Sequence, residues 1–215
     1  MKCVVLLLSL LSMGHSAPLS SCDTLLKPIP ISTQEILGKW LYVGGSSHLP
    51  GSRSLIRLMT SVWINVTTTA RSNVLNLFQT QRIYGECSSW MYDVIFENST
   101  MLIEEPFYLK EVYLPTGCSD CLLAYEEIIS GKDTFITLLL MSRKKSVSPD
   151  VVETLKKQAE CLQLPPPIMI DPNYEICPDN IPPSEGLSAI NKLLEAKTGH
   201  RLARVLDVLF DLFVN

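Results

Sequence analysis

The sequence predicts an all-β fold, an eight-stranded up-and-down antiparallel barrel with one helix packed outside it and a helical tail, on three observations. Between Gly38 and about Arg143, short runs rich in Val, Ile, Leu, Thr, Tyr, Phe and Trp are broken roughly every eight to twelve residues by turn-forming clusters. The breaks are hairpin-length, which suits antiparallel neighbours and leaves no room for crossover helices. After Ser148 the apolar period lengthens from two to three or four. A sheet must hide its edges, and eight strands closed on themselves leave an interior that holds side chains or one small ligand.

Taken in order, residues 1–16 have the pattern of a secretory leader. Lys2 supplies the positive start, Val4 to Leu11 the apolar stretch, and Gly14 and Ser16 the small residues before a cleavage expected after Ser16. The apolar run is well short of the ~20 residues that span a bilayer. Its removal takes Cys3 and leaves Cys22, Cys87, Cys118, Cys121, Cys161 and Cys177, an even set that suits an oxidising, extracellular compartment but allows fifteen pairings. Asn65-Val66-Thr67 and Asn98-Ser99-Thr100 fit the glycosylation sequon, so Asn65 and Asn98 are expected to carry surface glycans.

Residues 17–178 form the predicted barrel domain, with strands near 38–47, 55–67, 73–84, 87–97, 100–105, 107–114, 120–129 and 133–143. Turns fall at Leu49 to Ser52, Thr68 to Ser72, Gly85-Glu86, Asn98-Ser99, Pro115 to Gly117 and Ser130 to Asp133. The 133–143 segment is apolar on both faces, with Phe135, Leu139 and Met141 on one and Ile136, Leu138 and Leu140 on the other. Something must therefore cover its outer side. The helix near 149–162 qualifies, with a stripe of Val151, Val152, Leu155, Ala159 and Leu162, Ser148 at the N-cap and Pro149 in first position. Ile168 to Ile170 is a short ninth strand. Residues 179–215 are a Pro-rich linker and an amphipathic helical tail, with one stripe at Leu187, Ile190 and Leu194 and a broader one from Leu202 to Phe213. Three uses compete for 184–215: packing back on the barrel, self-association, and binding a lipid or lipoprotein surface.

Composition excludes several functions. Of 215 residues 47% are hydrophobic and 19% charged, which argues for a packed core, and a formal charge of -4 gives no basic field for nucleic acid. Three scattered histidines offer no metal site, and the Cys118-Ser119-Asp120-Cys121 spacing lacks both the βαβ setting of a redox motif and further ligands for zinc. No nucleophile elbow, phosphate loop or dinucleotide turn occurs, so neither catalysis nor a cofactor is expected.

Gly38-Lys39-Trp40 opening the first strand after a coil from Cys22, eight strands, one helix, a short strand and a last cysteine together resemble a lipocalin. The likeness is closest to the branch that holds alpha-1-acid glycoprotein, apolipoprotein M and the fish plasma lipocalins that bind saxitoxin, tetrodotoxin or tributyltin. It is carried by Gly38 to Tyr42, Leu122 to Tyr125, Ala159 to Leu162 and Tyr174 to Cys177. The usual Thr-Asp-Tyr motif is missing, which points to the outlier lipocalins. The resemblance implies a barrel-closing pair, Trp40 under Arg143, and bridges Cys22–Cys161 and Cys87–Cys177, with Cys118–Cys121 by remainder.

It also implies a secreted carrier of a small hydrophobic or amphipathic, even cationic, molecule in plasma-like fluid. The alternative is an interaction module acting through its surface or tail. Matched position by position, the ligand-binding residues are expected to be Tyr42, Val62, Leu123, Tyr125, Leu139 and Met141. Glu127, on the face of Leu123 and Tyr125, is the residue expected to attract a cation.

Overall fold

The computed structural model describes residues 19–195 and Asp207. The predicted leader lies outside the described residues, as does the second tail stripe apart from Asp207.

The chain enters through α1 (Leu19–Leu25) and α2 (Thr33–Ile36). Helix α2 starts where it does because Ser32 and Glu35 cap each other: the Glu35 amide donates to Ser32 Oγ and the Ser32 amide donates to Glu35 Oε2 at 2.7 Å. Then come β1 (Gly38–Ser47), α3 (Ser52–Leu58), β2 (Met59–Thr68), β3 (Val74–Ile83), β4 (Glu86–Glu97), β5 (Thr100–Ile103), β6 (Tyr108–Leu114), β7 (Cys121–Ser130) and β8 (Asp133–Ser142). Each of these strands pairs antiparallel with the next, and β1 also pairs with β8, so the eight close into a barrel. Beyond it lie α4 (Pro149–Cys161), β9 (Ile168–Met169), β10 (Pro183–Glu185) and α5 (Gly186–Glu195).

Helix α4 covers the outside of β7 and β8, as the doubly apolar strand requires. Val151, Leu155 and Ala159 share one buried cluster with Leu123, Leu138 and Leu140. Gln158, fully buried on the same helix, ties it to neighbouring loops by donating to the Leu25 and Pro115 carbonyls at 2.9 Å each. The disulfides are Cys22–Cys161, Cys87–Cys177 and Cys118–Cys121.

Two expectations are corrected. Residues 55–58 belong to α3 and are not strand: Ser54 and Ile56 are buried while Leu55 is exposed. The turn into α3 uses Gly51 at φ +84°. Its first amides are satisfied from the far end of the chain, since Gly51 N and Ser54 N each donate to the Asp207 carboxylate at 2.8 Å and Ser54 Oγ donates to it at 2.6 Å. The linker, too, is partly structured. Strand β10 runs parallel to β4 along Ser89 to Met91, the stretch that four-residue β5 is too short to reach. Gly186 follows because the chain turns inward there against Tyr92 and Trp90, and a Cβ would come within 2.6 Å of the Tyr92 ring. Helix α5 then lays Leu187, Ile190 and Leu194 into the barrel's own apolar cluster, so this stripe packs back on the barrel.

Candidate ligand cavity

One end of the barrel is sealed. Gly38, at φ +90°, leaves space that Arg143 fills, its Nη1 lying 3.2 Å from where a Cβ would stand. The Arg143 guanidinium lies 3.4 Å from the centre of the Trp40 ring and donates to the Lys39, Leu37 and Glu35 carbonyls at 2.7, 2.6 and 3.3 Å. Trp40 Nε1 donates to the Ile36 carbonyl at 2.8 Å. This is why the glycine, tryptophan and arginine occur where they do.

Above that plug is a cavity of about 200 Å³. Its wall is mostly aliphatic and aromatic: Ile64, Val66, Leu77, Val94, Met101, Ile103, Phe107, Leu122, Ile128, Leu139 and Met141 all contribute. Ile190 of α5 belongs to the wall at the other end, and Leu194 beside it is only 4% exposed. Ligand cups are usually ~300 to 1,000 Å³. This one is smaller because α5 occupies part of it.

Polar groups gather at one place on the wall. Glu111 of β6 and Glu126 of β7 stand directly opposite each other in the strand register and both point inward. They are 6% and 9% exposed, and no Lys, Arg or His among the described residues lines the cavity to balance them. Burial pushes the Glu111 carboxyl up to about 7, against the opposing pull of Tyr113 and Glu126 beside it. Burial, then the charge of Glu111, raises Glu126 well above the carboxylate range. Two carboxyls this close in a dry site hold a proton between them near neutrality. Tyr92 donates to Gln79 Oε1 at 3.2 Å. The buried hydroxyls of Tyr113 and Tyr42 have no hydrogen-bond partner. Burial and the Glu126 charge raise the Tyr42 and Tyr92 phenols, and burial and Glu111 raise Tyr113, so all three remain donors at any ordinary pH.

Of the residues expected to bind, Leu139 and Met141 line the cavity. Tyr42 and Val62 face inward but are packed on Ile56 of α3, beside the cavity and not in its wall. Leu123, Tyr125 and Glu127 point outward: Leu123 and Tyr125 lie in the cluster under α4, and Glu127 sits half-buried opposite exposed Lys110. The strand was expected one residue out of phase, and a shift of one exchanges its faces. The cause is in the residues: Leu122, Ala124, Glu126 and Ile128 on one face repeat the pattern of Leu123, Tyr125, Glu127 and Ile129 on the other. Glu111 was not anticipated. The Glu126-Glu127 doublet is the signal that pointed inward, since in a strand two adjacent residues cannot both face solvent. Of the sequon asparagines, Asn98 is exposed in the β4–β5 turn and Asn65 is half-buried on the outer face of β2.

The family model for the ApoM domain matches residues 5–180. The chain belongs to the ApoM family, a lipocalin family. Among solved structures it is similar to a siderocalin, Ex-FABP, reported to function through dual ligand specificities, at 16% identity and a TM-score of 0.57 over 67% of this chain and 99% of that one. At that identity the likeness shows the fold alone. No curated protein sequence matches significantly.

Proposed function

We propose that this ApoM-family protein is a secreted, glycosylated carrier that holds a small hydrophobic or amphipathic molecule inside its barrel. The observation that carries the reading is the partly enclosed, largely apolar cavity of about 200 Å³ between the Trp40 plug and α5. Burying even ~200 Å² of ligand in such a wall gains ~5 kcal/mol before association entropy is subtracted, which suits micromolar binding. Binding rather than catalysis is supported by the pairing of all six described cysteines, which leaves none of them as a free nucleophile.

Entry requires α5 to move. Its contacts with the wall are apolar side chains, and a molecule that covers the same wall replaces them. The small cavity favours a compact cargo, and toxin-like, xenobiotic, steroid and sphingolipid-like molecules all have the apolar surface to fill it. The test is mass spectrometry of the protein taken from its source fluid, under native and then denaturing conditions. A carrier releases a stoichiometric small molecule on denaturation. The reading is overturned if none is released and neither the full chain nor an Ile190→Asp variant takes up an apolar fluorescent probe.

A further inference from the structure

Two carboxyls facing each other inside an apolar cavity need an explanation. Folding removed both from water, and a buried carboxylate without a counter-charge is costly. No basic side chain among the described residues lines this cavity to offset it. A purely apolar cup would be more stable with two aliphatic side chains in the same places. Tyr113, 1% exposed on the same wall, lies beside Glu111 and is a neutral donor. The wall therefore presents two acidic groups with no cation to balance them.

We propose that Glu111 and Glu126 are the seat of an organic cation: the protonated amine or guanidinium of a small amphipathic molecule, with its apolar remainder against Leu77, Val94, Met101 and Ile103. The ligand brings the charge that the cavity lacks, and its N–H groups satisfy carboxylate oxygens while the Tyr113 hydroxyl donates to the same oxygens. An ammonium is a compact donor and a guanidinium a planar fork, and a facing pair of carboxylates accepts from either. The seat rests on the carrier reading and names the class of its ligand. It replaces Glu127, which lies on the outer surface.

Charge on the pair depends on pH, and the groups facing it are Tyr42 from β1, Tyr92 from β4 and Tyr113 from β6, all neutral donors. With one proton the pair carries a single negative charge, which one cation balances, so the cation competes with the second proton and binding tightens as pH rises through neutrality.

The test compares octylamine, 1-octanol and octanoate by calorimetry on the full chain at pH 7.5, and octylamine again at pH 6. Octylamine is expected to bind at least about tenfold more tightly than octanol, a difference of about 1.4 kcal/mol, and octanoate more weakly than either. Heats measured in buffers of different ionisation enthalpy should show proton release for the amine and none for the alcohol. In Glu111→Gln/Glu126→Gln, which keeps shape and removes charge, amine affinity falls to that of octanol while octanol is unchanged. Equal binding of amine and alcohol to the unaltered protein overturns the cation seat and leaves the carrier reading standing, with no variant needed. Failure of all three to bind overturns both.

Discussion

At one end of the barrel Arg143 lies on Trp40 and donates to three backbone carbonyls, while at the other α5 lays Leu187, Ile190 and Leu194 across the opening. The first closure is directional: each donor has a fixed acceptor, and displacing the guanidinium strands carbonyls and an indole face together. The second is held by apolar contact, which any greasy surface can replace, and by two attachments on either side, β10 on β4 and Asp207 on α3. A cup with one permanent and one exchangeable end has a defined direction of loading.

The largest test of this contrast breaks the covalent tether at the exchangeable end. Cys87–Cys177 joins β4 to the segment leading into β10 and spans 90 residues, so replacing both cysteines by serine should lower unfolding free energy by about 4 to 5 kcal/mol in denaturant titration on the chain-entropy account. The same change at Cys118–Cys121, only three residues apart in sequence, should cost about 2 kcal/mol. Next, Trp40→Ala should cost about 3 to 5 kcal/mol, whereas Ile190→Asp should leave the barrel's cooperative unfolding intact and raise uptake of an apolar dye. A result in which both substitutions unfold the barrel alike would remove the contrast.

The pH dependence is smaller and separates the cavity from both ends. Glu111 has a folded pKa of about 7 against an ordinary 4.5. The folded state therefore holds more protons between these values than the unfolded state does. The associated stability is fully present below about 4.5 and is lost as pH rises towards 7, by up to about 3 kcal/mol. Thermal melts across pH 4 to 8 should show that slope, Glu111→Gln should reduce it and Glu111→Gln/Glu126→Gln should flatten it; a flat profile in the unaltered protein would mean the pair is hydrated. The smallest effect is expected from Asp207→Asn, which loses one of the two accepting oxygens as well as the charge at the start of α3: about 1 kcal/mol in the melt, with faster dye entry in stopped flow.

Much of the architecture was legible because it rests on local chemistry. Turn clusters delimit the strands, the doubly apolar 133–143 segment demands an external helix, and Ser148-Pro149 begins it. The candidate site was legible only in part. Leu139 and Met141, expected from the family resemblance, do line the cavity, but β7 has nearly the same sequence on both faces. Residues 55–58 read as strand in the sequence because Leu55 and Ile56 suit either structure, and the cap that favours helix comes from Asp207, about 150 residues away.

From its residues alone the chain determined the eight barrel strands and most of their turns, while the tryptophan and arginine at one end followed from the family resemblance. Only the closed tertiary structure decided which way β7 faces, that Glu111 meets Glu126 inside, and that the tail enters the mouth. The reason is that strand periodicity fixes alternation but not its phase. Phase is set by the register with neighbouring strands, and here both faces of the strand are covered, so either phase would bury apolar surface.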